Sequence, residues 1–250
     1  HRELMLYRSG LLDGLPDGIA APHLLGVTEF PDDEPWMWFE DVAGEESIGW
    51  PVARFELAAR HYGRLKGAFL DSSALAACPQ LDRSGWFMKG VVQTFRQIPA
   101  VFEAFRTHPL TSELWDADLG KQVREFWDSR EILVQALDRM PRTLCHGDSC
   151  IPNLMSRRRD DGRDQTVLID WQYAGRSQMG PDIAGLIADS SLLPVRRKVA
   201  EPEEFTEMML EAYLCGLRDS GQEESIRVAR FGCLATLAYP WGLCVLLELD

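Results

Sequence analysis

Apolar residues along the first forty positions change period twice. Between Glu3 and Leu12 the side chains Leu4, Leu6, Tyr7, Leu11 and Leu12 make a ragged helical face that Asp13-Gly14 ends. Pro22 then introduces His23–Phe30, a short apolar run that reads as a strand. Pro31-Asp32-Asp33-Glu34-Pro35 is a turn, and Trp36–Asp41 is a second, aromatic-rich strand. Ala43-Gly44-Glu45-Glu46 breaks the pattern and reads as a hinge between two lobes. Beyond it the chain is mainly helical. Pro51–Leu70 and Leu119–Met140 are long amphipathic stretches, the latter with Leu119, Val123, Phe126, Leu133 and Leu137 on one face. Glu203–Leu217 and Glu224–Glu248 predict two more helices. Between them lies a strand-rich block: Arg142–Cys145, Leu154–Ser156 and Thr166–Asp170, with Arg157–Gln165 as a charged hairpin turn. Its three consecutive arginines read as a solvated tip rather than a phosphate site.

Composition narrows the class. With 250 residues, 46% hydrophobic and 26% charged, the chain has an ordinary globular balance, enough for one large domain or two small lobes. A net charge of −13 argues against nucleic acid or an anionic membrane as partner. Six scattered cysteines form neither a disulfide scaffold nor a zinc pattern and read as reduced thiols of a cytoplasmic protein. The apolar run Phe231–Leu247 is shorter than the roughly 20 residues of a membrane span. It is interrupted by Gly232, Pro240 and Gly242, and predicts a buried helix kinked near Pro240.

The segment that carries chemistry is Thr143-Leu-Cys-His-Gly-Asp-Ser-Cys-Ile-Pro-Asn-Leu-Met155, followed by Val167-Leu-Ile-Asp-Trp171. His146-x-Asp148, with an Asn five residues after the Asp, matches the H-x-D-x-x-x-x-N spacing of kinase catalytic loops. Asn153 is the only asparagine in the chain, and Asp170 follows it by seventeen residues at the end of an apolar strand. Phosphoryl transfer needs a carboxylate that accepts a hydroxyl proton, here Asp148. It also needs oxygen ligands for Mg²⁺ on the nucleotide phosphates, here Asn153 and Asp170. Loop and strand end meet only if the two short strands pair as a hairpin.

His-Gly-Asp, Ile-Asp-Trp and Gly180-Pro-Asp-Ile-Ala184 together resemble the aminoglycoside phosphotransferase and choline kinase superfamily of small-molecule kinases. The resemblance runs from Glu3 to about Asp189. It implies an α+β, protein-kinase-like two-lobed fold with an incomplete N-lobe over residues 1–44. A mainly helical C-lobe with the catalytic hairpin and substrate pocket would cover residues 45–250. It further implies transfer of the γ-phosphoryl group of ATP (or GTP) to a small-molecule hydroxyl. Asp148 is then similar to the catalytic base, and Asn153 and Asp170 to the Mg²⁺ ligands. His146 and Asp182 would support the catalytic loop, although Asp182 also reads as a helix N-cap. On the nucleotide side the resemblance implies backbone contacts from Glu40 and Val42 to the adenine edge. It likens Glu3 to the helix glutamate that pairs with a phosphate-binding lysine.

Departures from the family pattern stand beside these matches. No glycine-rich loop appears and no lysine precedes Glu3. The four lysines begin only at Lys66, so those parts are expected upstream of His1. Gln172 replaces the acidic residue common after Asp-Trp. A binding module that has lost its phosphate-gripping lobe is the rival reading. A Gly147-Asp148-Ser149 esterase is excluded because none of the five histidines follows Ser149. The acceptor itself stays open. Glu203, Glu204, Glu207 and Glu211 suit an amine but read more simply as a solvated helix face.

Overall fold

The computed structural model describes residues 2–30, 34–83, 102, 109, 117–191 and 201–242. In chain order the main elements are α1 (Arg2–Arg8), β1 (Ile19–Ala20), β2 (Leu24–Thr28), β3 (Trp36–Phe39), β4 (Glu45–Glu46), α2 (Val52–Ala68) and α3 (Ser73–Ala76). They continue with α4 (Ala117–Asp128), α5 (Arg130–Asp138), β5 (Arg142–Cys145), β6 (Leu154–Arg158), β7 (Asp164–Leu168), β8 (Gly175–Gln178), α6 (Pro181–Ser191), α7 (Pro202–Asp219) and α8 (Ile226–Thr236). This is the α+β architecture that the sequence implies.

Several boundaries differ from the sequence reading, each for a local reason. The first helix stops at Arg8 rather than Leu12, where the Ser9 hydroxyl donates to the Leu6 carbonyl at 2.6 Å and a 3₁₀ turn, Leu11–Gly14, follows. The stretch Leu119–Met140 is two helices rather than one. They part at Ser129, whose hydroxyl bonds back to the Glu125 carbonyl at 2.9 Å. After Thr236 the last helix widens into a π turn, Leu237–Trp241, around Pro240, which has no N–H to continue an α ladder. The remainder of the expected helix to Glu248 lies outside the described residues, as do Pro31–Asp33 of the turn.

The sheets explain why the hinge is not a free linker. β6 and β7 pair antiparallel, with Leu154 opposite Leu168 and Met155 opposite Val167, so the expected hairpin is present and longer than its sequence signal. β1 adds to β7 in parallel, and β4 adds to β6, giving the sheet order β1-β7-β6-β4. Glu45–Glu46 is therefore a paired strand, where the sequence reads only a pattern break. The division at residue 44 runs through this shared sheet. β2 and β3 form a separate ribbon, and β5 pairs with β8, a strand the sequence pattern does not signal.

The helical core is built around α2 against α7. Phe55, Tyr62 and Leu65 of the first, with Phe205, Met209 and Tyr213 of the second, are fully buried or nearly so. The two backbones touch at glycines. A Cβ on Gly63 would lie 2.0 Å from the Tyr213 carbonyl oxygen, and one on Gly216 would lie 1.9 Å from that of Arg60. Neither neighbour can move without shifting a helix. Gly216→Ala is therefore expected to destabilise the protein by about 1–3 kcal/mol. Gly49→Ala, with no atom within 4 Å of its Cβ, should stay near wild type. Urea unfolding midpoints of the two variants check this.

Candidate active site

β5 delivers the chain to the segment His146–Asn153, and β6 carries it away. Gly147 has φ +84°, a left-handed conformation that side chains disfavour, and a Cβ there would lie 2.4 Å from the Tyr173 carbonyl oxygen. Only glycine fits between His146 and Asp148. The loop is held from below by Asp182, which is buried. Its carboxylate accepts from the His146 amide at 2.8 Å and the Gly147 amide at 2.9 Å. The same carboxylate meets the Lys66 ammonium, which also donates to the Leu144 carbonyl at 2.8 Å. The Ser149 hydroxyl adds a bond to the Asp182 carbonyl at 2.5 Å. The Asp182 side-chain oxygens thus reach the loop amides rather than their own helix end.

Burial by itself would favour the neutral acid at Asp182. The Lys66 charge and the loop amides outweigh it and hold the carboxyl below its ordinary value. Burial likewise works against the Lys66 ammonium, and the facing carboxylate reverses the effect and raises its pKa. Sequence reasoning missed Lys66. Its signal was a lone charge on a helix face shared with Tyr62 and Leu65.

Asp148 and Asn153 meet directly. The Asn153 amide nitrogen donates to the Asp148 carbonyl at 3.0 Å and to its carboxylate at 3.1 Å. The Asn153 carbonyl accepts from the Ile169 amide at 3.0 Å, which ties the loop to the residue before Asp170. His146 closes the circle: its Nε2–H donates to the Ile169 carbonyl at 3.0 Å, and its ring stands edge-on to Trp171 at 4.6 Å. Burial lowers the pKa of His146 and so favours the neutral imidazole.

Asp170 sits at φ 60°, ψ 71°, a left-handed backbone that costs a non-glycine residue about 1–2 kcal/mol. Both flanking residues are pinned. Ile169 is held as described. Trp171 is buried, donates its indole N–H to the Leu168 carbonyl at 2.7 Å and its amide to the Glu3 carboxylate at 3.0 Å. Burial, and then the Asp170 charge, raise the Glu3 pKa against the lowering effect of that amide. Glu3 thus reaches the site through the Trp171 backbone. Gln172, which departs from the family pattern, donates its side-chain amide to the Asp170 carboxylate at 3.2 Å. A donor stands where an acidic residue would place a like charge.

Glu40 and Val42 lie apart from this cluster, on the segment after β3. The Glu40 amide donates to the His23 carbonyl at 2.9 Å, and its carboxylate accepts from the His23 amide and Arg157, each at 3.1 Å. Although burial opposes ionisation there, those two partners hold the Glu40 carboxyl below its ordinary value.

Asp148 also lines a pocket of about 70 Å³, together with Arg83, Tyr173, Pro181, Gly185 and Trp241. The acidic residues of α7 do not line it; Glu207 and Glu211 bond Arg230 at 2.6 Å and 3.1 Å on an exposed face. Among the described residues no helix is long and apolar enough to cross a membrane.

Asp148 and Asn153 thus stand on a loop braced from a buried helix, and Asp170 closes the strand that pairs with the one after that loop. The chain belongs to the APH phosphotransferase enzyme family, whose sequence model matches residues 10–223. Its fold is similar to that of an amicoumacin kinase (16% identity, TM-score 0.58, 99% of this chain and 70% of that one). It is also similar to the Plasmodium vivax ethanolamine kinase (18%, TM-score 0.55, 99% and 66%) and to a glucosamine kinase (15%, TM-score 0.54, 98% and 63%). The chain thus spans about two thirds of the length of the ethanolamine and glucosamine kinases. No curated protein sequence matches it.

Replacing Lys66 by Met leaves the Asp182 charge buried without a counter-ion. The expected loss is about 3–5 kcal/mol of stability, read as a lower urea midpoint. The depressed carboxyl stabilises the fold fully above the unfolded value near pH 4 and loses that contribution as pH falls through its lower folded value. Wild-type midpoints should therefore decline in that acid range, and the part of the decline due to this group should be absent in Asp182→Asn.

Proposed function

We propose that this chain transfers the γ-phosphoryl group of ATP or GTP to a hydroxyl of a small molecule, with Mg²⁺ on the phosphates. The observation that carries the reading is the Asp148–Asn153 bond, which ties the carboxylate to the one asparagine of its loop. In the reaction the acceptor O–H bond breaks as its oxygen bonds to phosphorus. The proton passes to the Asp148 carboxylate, and the bond from the γ-phosphorus to the bridging oxygen breaks, releasing the nucleoside diphosphate.

Each residue has a physical part in this. Asp148 accepts the proton and aims the attacking oxygen, while Asp182 and Lys66 hold its loop at fixed height through the His146 and Gly147 amides. Asn153 and Asp170 offer one neutral and one charged hard oxygen, a donor set suited to Mg²⁺, which takes few protein ligands and keeps water and phosphate oxygens. When bound, the ion supplies neutralisation of the phosphate charge. Glu3 and His146 keep Asp170 in its strained pose through Trp171 and Ile169. The Glu40 carbonyl and the Val42 amide face the adenine edge, so that residues 1–44 act as the nucleotide side and residues 45–250 as the catalytic and acceptor side.

Steady-state kinetics on the full chain, with nucleotide affinity measured by calorimetry, tests this. Asp148→Asn is expected to lower kcat by about 10²–10⁴-fold with nucleotide affinity nearly intact. Asp170→Asn should instead weaken Mg²⁺–nucleotide binding. Turnover surviving in Asp148→Asn would refute the role given to that residue. Mg²⁺–nucleotide binding with no turnover on any hydroxyl compound would leave a binding module instead of an enzyme.

A further inference from the structure

Helix α6 sends a second carboxylate to the loop besides Asp182. Two turns further along, Asp189 accepts from the Ile151 amide at 2.5 Å, a short charge-assisted bond. Seven residues separate the two acids, about 10 Å of helix rise, so α6 runs beneath the loop and meets it at both ends. The Asp182 end takes the His146 and Gly147 amides, just before Asp148. The Asp189 end takes the amide two residues before Asn153.

Ile151 is gripped from its other side as well. The buried Ser47 hydroxyl donates to the Ile151 carbonyl, although 104 residues of chain separate them. Ser47 opens the 3₁₀ turn Ser47–Gly49 directly after β4, and β4 is itself paired to β6 through Glu45 and Glu46. The Ile151 side chain is buried in the core. Amide, carbonyl and side chain are therefore all fixed.

The connection from this grip to Asn153 is short and stiff. Ile151 opens the 3₁₀ turn Ile151–Asn153, which the Asn153 amide closes on the Cys150 carbonyl at 3.1 Å. Pro152 between them has its φ locked by the ring, which leaves little play. Asp148 has a separate support, because Gly147 beside it is held by Asp182 and Lys66. The loop is braced at two stations, one beside the carboxylate and one beside the asparagine.

Resting on the kinase reading above, we propose that Asp189 and Ser47 are positioning residues for Asn153. They set how well the loop presents that residue to a Mg²⁺–nucleotide, and they leave the proton acceptor to the other brace. Asp189 acts as a hydrogen-bond acceptor and not through its charge. Through Ser47, the segment that follows the hinge takes part in the same task.

Calorimetry on the full chain with AMP-PNP, in Mg²⁺ and in EDTA, tests this. Asp189→Ala and Ser47→Ala should each weaken Mg²⁺–AMP-PNP binding by about tenfold or more, as loss of a partner behind a metal ligand does. Metal-free AMP-PNP affinity should hardly move. With any acceptor that turns over, KM for Mg²⁺–ATP should rise by more than kcat falls. Asp189→Asn keeps an oxygen acceptor and should recover most of the loss. In an Asn153→Ala background, Asp189→Ala should weaken binding no further, because both changes act through one group.

Equal losses with and without metal overturn the inference, and so do additive losses in the Asn153→Ala background. A loss in Asp189→Asn as large as in Asp189→Ala overturns it too, since charge would then be what matters. Should Asp189→Ala fail to fold, Ser47→Ala decides, because there the Ile151 carbonyl keeps the Leu154 amide as a donor. Each of these results leaves the kinase reading intact. A wild-type chain that binds no Mg²⁺–AMP-PNP and turns over no acceptor overturns that reading, and this inference with it.

Discussion

An ammonium and a carboxylate sealed from water are tolerable only together, and the Lys66–Asp182 pair sets the geometry of everything above it. Each ion alone would carry a desolvation penalty of several kcal/mol. Paired, they still have hydrogen-bonding capacity to fill, and the fold fills it with backbone. Lys66 takes the Leu144 carbonyl, and Asp182 takes the His146 and Gly147 amides. Thr143 adds its hydroxyl to the Lys66 carbonyl at 2.8 Å. Helix α2, strand β5, the loop after it and helix α6 are thereby joined at one point. The height of Asp148 above the core follows from that joint.

The second constraint is the conformation of Asp170. A left-handed backbone at a non-glycine residue persists only where neighbours over-determine it. Here Asn153 and His146 grip Ile169 from one side, while Leu168 and Glu3 grip Trp171 from the other. Glu3 belongs to the N-terminal part of the chain, so that part takes hold of the site through a main-chain amide. The β1 and β4 edges of the catalytic sheet add the same kind of linkage, strand by strand.

Much of the site was legible in the sequence because its chemistry depends on spacing within one short segment. Asp148, Asn153 and Asp170 are separated by a loop and a hairpin, and the second strand of that hairpin announces itself by the apolar run Val167-Leu-Ile. Asp182 was legible as one of two alternatives, both of which place a carboxylate early in a helix. Strands β1, β4 and β8 were not legible. The first two contribute two residues each, too few to show a period, and Gly175–Gln178 carries no apolar alternation. The break at Ser129 and the π turn at Leu237–Trp241 depend on side-chain and backbone bonds that hydrophobic pattern does not encode.

By itself the sequence determined the family of the chain, most of its helical and hairpin elements, and the residue types that the candidate site gathers. These rest on local spacing and on elementary coordination and acid–base chemistry. Tertiary structure alone decided which buried lysine neutralises Asp182 and where Glu3 makes its bond. It also decided that the acidic residues of α7 turn away from the pocket while Tyr173 and Trp241 turn toward it. The partners in each case are 19 to 168 residues apart, as for Glu211 with Arg230 and Glu3 with Trp171. Contacts at such separations follow from how helices and strands pack, and packing is a property of the whole chain.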